Sequence, residues 1–234
     1  MTYGINIRNR IGFLQLDGNY HNYFLKEEGF AAACSNGDGN EDSYNFANTY
    51  SYNRAPLVAI RPLSTSYGIA VTRFKVTSGK ISGFYALTEY NHNCTFDWRL
   101  YCVDYGAPPE YGIQIFNERG NQIFCSSENN LKITYGGGSR LVVIPDDLGI
   151  TTPTYAPVDH PDYENPFYIL QPCSFMAQYS GGPGTYWGYR GRAGITKVDS
   201  TSAKVEWIVK ISGTYSRFVL FISASTMFCG VVPE

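Results

Sequence analysis

Three histidines, His21, His92 and His160, are the residues most able to move protons near neutral pH, and each stands alone in an unrelated stretch. A catalytic histidine needs a nucleophile and an orienting acid, and no G-x-S-x-G frame accompanies any of them. His160-Pro161-Asp162 reads as a turn, in which an aspartate bonds its own backbone. Asn36-Gly-Asp38-Gly-Asn40-Glu41-Asp42 alternates oxygen ligands, but a calcium loop of the helix–loop–helix kind needs a bidentate glutamate at its twelfth position. Ala47 stands there, so the stretch reads as a solvated loop. Asp146-Asp147 follows Pro145 and reads as a turn in place of a catalytic pair. The glycine-rich run from Ser180 to Arg192 lacks the Gly-Lys-Ser/Thr ending and the helix that a phosphate loop requires. It reads as a glycine-rich strand that packs Tyr186, Trp187 and Tyr189. The residues therefore predict no enzyme, no metal and no cofactor.

Composition points the same way. The 234 residues include 24 glycines, 12 prolines and 20 tyrosines, a bias toward turns and flat amphipathic rings. A net charge of −2 supplies no basic field to gather phosphates, so nucleic acid is not an expected partner. Met1–Arg10 holds no apolar run of signal-peptide length, and no stretch approaches the ~20 apolar residues that cross a bilayer, so no membrane is expected. Cys34, Cys94, Cys102, Cys125, Cys173 and Cys229 are scattered without C-x-x-C spacing. They read as reduced, mostly buried thiols of a protein that folds in a cytoplasm.

Positioning elements emerge from an internal repeat. Tyr3–Gly12 reads Y-G-I-N-I-R-N-R-I-G and Tyr111–Gly120 reads Y-G-I-Q-I-F-N-E-R-G, at a constant offset of 108. Tyr3, Ile5 and Ile7 alternate with polar neighbours, as do Tyr111, Ile113 and Ile115, which gives each copy a strand. Asn9 and Gly12, like Asn117 and Gly120, occupy first and fourth positions favoured in a type I turn. Each copy is thus expected to be a β-hairpin, returning through Phe13–Leu16 and Gln122–Cys125. Pro56–Ser64 matches Pro166–Ser174 at an offset of 110, and Trp98–Tyr101 resembles Phe218–Phe221. Ala203–Ile211 is expected to turn at Ser212-Gly213-Thr214 and return through Phe218–Ile222, with Lys80–Leu87 and Phe96–Val103 pairing likewise in the first copy.

No segment shows sustained helical apolar spacing. The expected fold is all-β: two tandem antiparallel β-sandwich domains from an internal duplication, residues 1–107 and 108–234, separated at Ala107-Pro108-Pro109-Glu110.

The opening Tyr3-Gly-Ile-x-Ile-x-Asn9-x-x-Gly12 followed by Asp17 resembles small β-sandwich virion proteins of tailed bacteriophages, found at the tail tip, the collar and the attachment points of fibres. The second copy departs from the pattern with Cys125-Ser126 where the first has Asp17-Gly18. The resemblance implies a minor structural protein of the virion tail that folds in the host cytoplasm. Other virion proteins would be its partners, in a ring-forming or symmetric assembly, with a host-surface glycan as a further contact. Two rival readings are a carbohydrate-binding receptor-recognition module of a tail fibre and a polysaccharide-degrading tail enzyme, which needs two carboxylates about 5–10 Å apart. Two long segments, Ser35–Ala55 and Ile150–Asn165, read as strand-poor loops. Their Tyr44, Tyr50, Tyr52, Tyr155 and Tyr163 are expected to bind partners, because rings on a restrained backbone lose little entropy when covered.

Overall fold

A computed structural model describes residues 6–8, 14–17, 23–34, 41–51, 56–88, 93–103, 112–116, 122–126, 131, 135–137, 156–159, 163–170, 174–182, 185–215, 221–223 and 229–232. Every regular element among them is a strand, and every pairing is antiparallel. The all-β expectation holds.

The repeated segments form two small hairpins. The first pairs β1 (Asn6–Arg8) with β2 (Leu14–Asp17), and the second pairs β9 (Gln114–Phe116) with β10 (Gln122–Cys125). Asn6 faces Asp17, Ile7 faces Leu16 and Arg8 faces Leu14; Gln114 faces Cys125, Ile115 faces Phe124 and Phe116 faces Gln122. Each pair in the second hairpin lies 108 residues beyond its counterpart, and the register irregularity falls at the same step. Both hairpins stand outside the larger sheets.

The first large sheet comprises β3 (Phe24–Cys34), β5 (Leu57–Pro62), β8 (Asn93–Cys102), β11 (Tyr135–Gly137), β13 (Phe167–Leu170) and β18 (Cys229–Val232), in the order β11-β18-β13-β5-β8-β3. The second contains β4 (Asp42–Ser51), β6 (Ile69–Thr77), β7 (Lys80–Thr88), β12 (Ala156–Asp159), β15 (Thr185–Lys197) and β16 (Ser202–Tyr215) along the path β12-β16-β15-β6-β7-β4. Two further strands, β14 (Ser174–Gly182) and β17 (Phe221–Ser223), lie off this path: β14 pairs β15 and β17. The strands do not sort by half. Each path takes three strands from either side of residue 107 and joins them at its centre, where β13 pairs β5 and β15 pairs β6. At the first junction Ala59 faces Ile169, the two positions that the offset of 110 aligns.

Burial explains why the central strands lack clean alternation. Val58 and Ile60 of β5 join Phe96, Trp98 and Leu100 of β8 in an apolar cluster completed by Ile81 and Phe84 of β7, Ile195 of β15 and Val205 of β16. That cluster therefore draws on both large sheets. On the alternate positions, Ala59, Tyr101, Phe167, Ile169 and Val232 form a second cluster. A strand covered on both faces must be apolar throughout, which is why Leu57–Ile60 reads as a continuous run. β8 keeps the period of two, and Cys94, Phe96, Trp98, Leu100 and Cys102 alternate into burial as the sequence predicts.

Several expectations are corrected. β7 and β8 do not pair with each other: β7 lies between β6 and β4, and β8 between β5 and β3. Nor does β16 turn at Ser212–Thr214. It continues alongside β15, with Trp187 facing Thr214 and Gly188 facing Ser212, so Gly213 takes up a register irregularity in place of a turn. The segment 35–55 is not strand-poor, since it contains the ten-residue β4, and the described part of 150–165 includes the four-residue β12. Polar and aromatic composition hid β4, because an edge strand needs only one apolar contact row.

Candidate functional site

The tyrosines expected to bind partners lead to the outer end of the two sheets, where the edge strands β3 and β4 approach each other. Tyr44, Phe46 and Tyr50 project from β4 into an aromatic cluster with Phe84 of β7 and Phe96 and Trp98 of β8. Tyr44 stacks on Phe84 at 5.1 Å between centroids and meets Phe96 edge-on at 5.4 Å. Phe46 lies 5.5 Å from Trp98, 5.8 Å from Phe84 and 6.1 Å from Tyr50. Offset and edge-to-face pairs of this kind add about 0.5–1.5 kcal/mol each beyond the area they bury. Two glycines permit the close packing here: a Cβ on Gly83 would collide with the Tyr44 carbonyl oxygen of the neighbouring strand, and one on Gly29 would stand 2.7 Å from the Trp98 ring.

A single carboxylate organises the rest. β4 departs from its ladder with β7 between Asn45 and Tyr50, which leaves the intervening backbone amides without sheet partners. Glu27 of β3 accepts two of them, from Ala47 N–H at 2.7 Å and Asn48 N–H at 2.8 Å, together with the Tyr50 hydroxyl at 2.6 Å and Asn48 Nδ2 at 3.3 Å. The Tyr44 hydroxyl donates to the carbonyl of Ala32, also on β3. These bonds latch the two edge strands together and occupy groups that an exposed edge would offer to another chain. Burial and then the bond to Glu27 push the Tyr50 phenol above its ordinary value.

The five tyrosines thus fare differently. Tyr44 and Tyr50 are half-buried and packed on the protein's own core, and Tyr163 packs against the same cluster. Tyr52 and Tyr155 lie outside the described residues, as do the three histidines, Asn36–Asn40, Asp146, Asp147, Cys173 and residues 107–110. Glu27 was not singled out from the sequence. The signal was there: Lys26-Glu27-Glu28 interrupts an apolar strand, and charges inside a strand need a local partner.

A second constellation lies where the halves join. The guanidiniums of Arg61 and Arg99 stand 4.5 and 4.2 Å from the centroid of the Phe167 ring, so residues of the first half hold an aromatic side chain of the second. Arg61 bonds Asp97 Oδ2 through Nε at 2.9 Å and Nη2 at 2.7 Å, and Arg99 Nε bonds Glu28 at 3.1 Å. Opposite charges balance both cations, which suits them to clamping the joint. In the second sheet the buried carboxylate of Glu206 accepts from Thr196 Oγ1 and pairs with Lys204 Nζ at 2.8 Å. Burial without such partners would be costly.

Cys94, Cys102 and Cys125 are buried and form no disulfide. Burial pushes Cys94 up to about 11. Among the described residues no group of three or more His, Cys, Asp or Glu is placed to hold a metal ion, and no helix is long and apolar enough to cross a membrane. No family model, curated protein or solved structure gives a significant match to the chain.

Proposed function

We propose that this chain is a minor structural protein of a tailed-phage virion, assembling at the tail tip or collar and anchoring fibres or neighbouring subunits. The observation that carries the reading is the pair of Y-G-I-x-I-x-N-x-x-G hairpins, which share one register at an offset of 108 and stand apart from both large sheets. An isolated two-stranded hairpin is marginal in water, so a feature kept twice outside the main body suits contact with other subunits. The exposed Ile113 and Phe116 on the second hairpin favour the same use.

We read the body itself as a β-sandwich made by internal duplication. If β3, β5 and β8 correspond to β11, β13 and β18, and β4, β6 and β7 to β12, β15 and β16, both sheet orders read the same from either end. The facing of Ala59 and Ile169 supports an approximate two-fold arrangement about the central pairing. In this reading Tyr52 and Tyr155, with the exposed Ala47–Thr49 beside the latch, meet neighbouring subunits, while Tyr44, Tyr50 and Tyr163 set the shape of the surface they present.

Mass spectrometry of gradient-purified particles from the phage encoding this chain tests the assignment. The chain should be present at constant copy number and should resist a salt wash. Its recovery from the soluble lysate alone, never from particles, would overturn the reading.

A further inference from the structure

One residue beside the joint of the two halves is held in a conformation that its neighbour disfavours. Asn165, shortly before β13, has a φ of 47°, in the left-handed region, and the residue after it is Pro166. A proline biases the residue before it toward extended backbone, so this conformation persists only because the surroundings impose it. The Asn165 N–H donates to the Ser200 carbonyl at 2.7 Å, in the connection between β15 and β16. On the other side, the Asn165 carbonyl oxygen lies 3.5 Å from Nη1 of Arg61. That guanidinium is itself fixed, since Nε and Nη2 both bond Asp97 and its face lies on Phe167.

The side chain of the same residue is left over. Its Oδ1 is buried and accepts no hydrogen bond, which removes the anchor that a buried carboxamide ordinarily has. Backbone strain and an unsatisfied buried group at one residue call for a use. The chemistry open to them is narrow. At most asparagines the next backbone nitrogen can attack the side chain and deamidate it, but proline has no N–H and closes that route. What remains is attack by the side-chain nitrogen on the residue's own carbonyl carbon. Asn165-Pro166 is the only Asn-Pro step in the sequence.

We propose that the chain cuts itself between Asn165 and Pro166. Nδ2 forms a bond to the Asn165 carbonyl carbon, and the oxyanion so produced lies beside Arg61, whose charge stabilises it. Collapse breaks the bond to the Pro166 nitrogen, which takes up the proton that Nδ2 gives up. Residue 165 is left as a terminal succinimide, and one water molecule opens it to a terminal asparagine or to an aspartate α-amide. The sequence of steps is redox-neutral and consumes water alone. The two pieces stay interleaved, because β13 pairs β5, β15 pairs β6 and β12 pairs β16 across the cut. Cleavage therefore relaxes Asn165 without dismantling either large sheet. The inference stands independently of the virion assignment.

Incubation of the purified full chain at neutral pH with protease inhibitors, followed over days by denaturing electrophoresis and intact mass spectrometry, tests the proposal. Pieces 1–165 and 166–234 should accumulate, the first in part as the succinimide, while a native gel still shows one species. Asn165→Gly accepts the same φ and should remain whole, because it has no side-chain nitrogen. Arg61→Gln should slow cleavage about a hundredfold, since the oxyanion loses its charged partner. Should that variant fail to fold, Pro166→Gly serves in its place: it restores a backbone N–H and should divert the reaction from cleavage to deamidation of Asn165. A native chain that stays whole, cleavage that persists in Asn165→Gly, an unchanged rate in folded Arg61→Gln, or continued cleavage without deamidation in Pro166→Gly would each overturn the assignment.

Discussion

The hairpin β6–β7 of the first half and the hairpin β15–β16 of the second hold matching places in one sheet, yet they differ in reach. The first uses nine residues per strand and turns at Ser78-Gly79, where both residues adopt positive φ. The second uses 13 and 14 residues, and its outer part gains β14 as an additional partner, which in turn pairs β17. Nine residues therefore suffice to complete the common sheet. The extra length in the second hairpin supports β14, and through it β17, beyond the common sheet. The shared length of the two hairpins therefore completes one sheet, while the added length of the second carries strands that the first does not have.

Substitutions in the two regions should therefore behave differently. The largest effect belongs to the aromatic cluster of the first half, where Phe84→Ala should cost about 3–5 kcal/mol in urea unfolding. A loss below about 1 kcal/mol would mean that the cluster is not a stabilising centre of the frame. Glu27→Ala should come next, at about 1–3 kcal/mol, because two backbone amides and the Tyr50 hydroxyl lose their acceptor. Limited proteolysis should then cut near Ala47–Thr49, and resistance there would show that the latch is redundant.

The pH response sharpens the contrast. Cys94 and Tyr50 both have raised values in the folded protein, so the native state holds their protons when the unfolded chain has released them. The stabilisation is fully present below the ordinary thiol value of 9 and is lost as pH rises through about 11 for Cys94. Melting temperature should fall across that window, and Cys94→Ala combined with Tyr50→Phe should flatten the fall. An equally steep profile in the double variant would place the alkaline sensitivity elsewhere.

Much of this was legible in the chain itself. Asn and Gly at fixed steps, with isoleucines alternating before them, determined two hairpins down to their common offset, because a hairpin's turn and its register are set within a dozen residues. Alternation in Trp98, Leu100 and Cys102 likewise determined which side of β8 is buried. Tertiary structure alone decided the rest. A strand's hydrogen-bonding edge is the same whichever strand comes to it, so nothing near Ala59 announces a partner at Ile169, and nothing in Lys80–Val103 announces that β7 and β8 enter different sheets. Tyr44 and Tyr50 carry the same ambiguity on a smaller scale. A ring with a hydroxyl suits either a partner's surface or the rim of a core, and only the approach of β3, bringing Glu27 and the Ala32 carbonyl within reach, turned them inward.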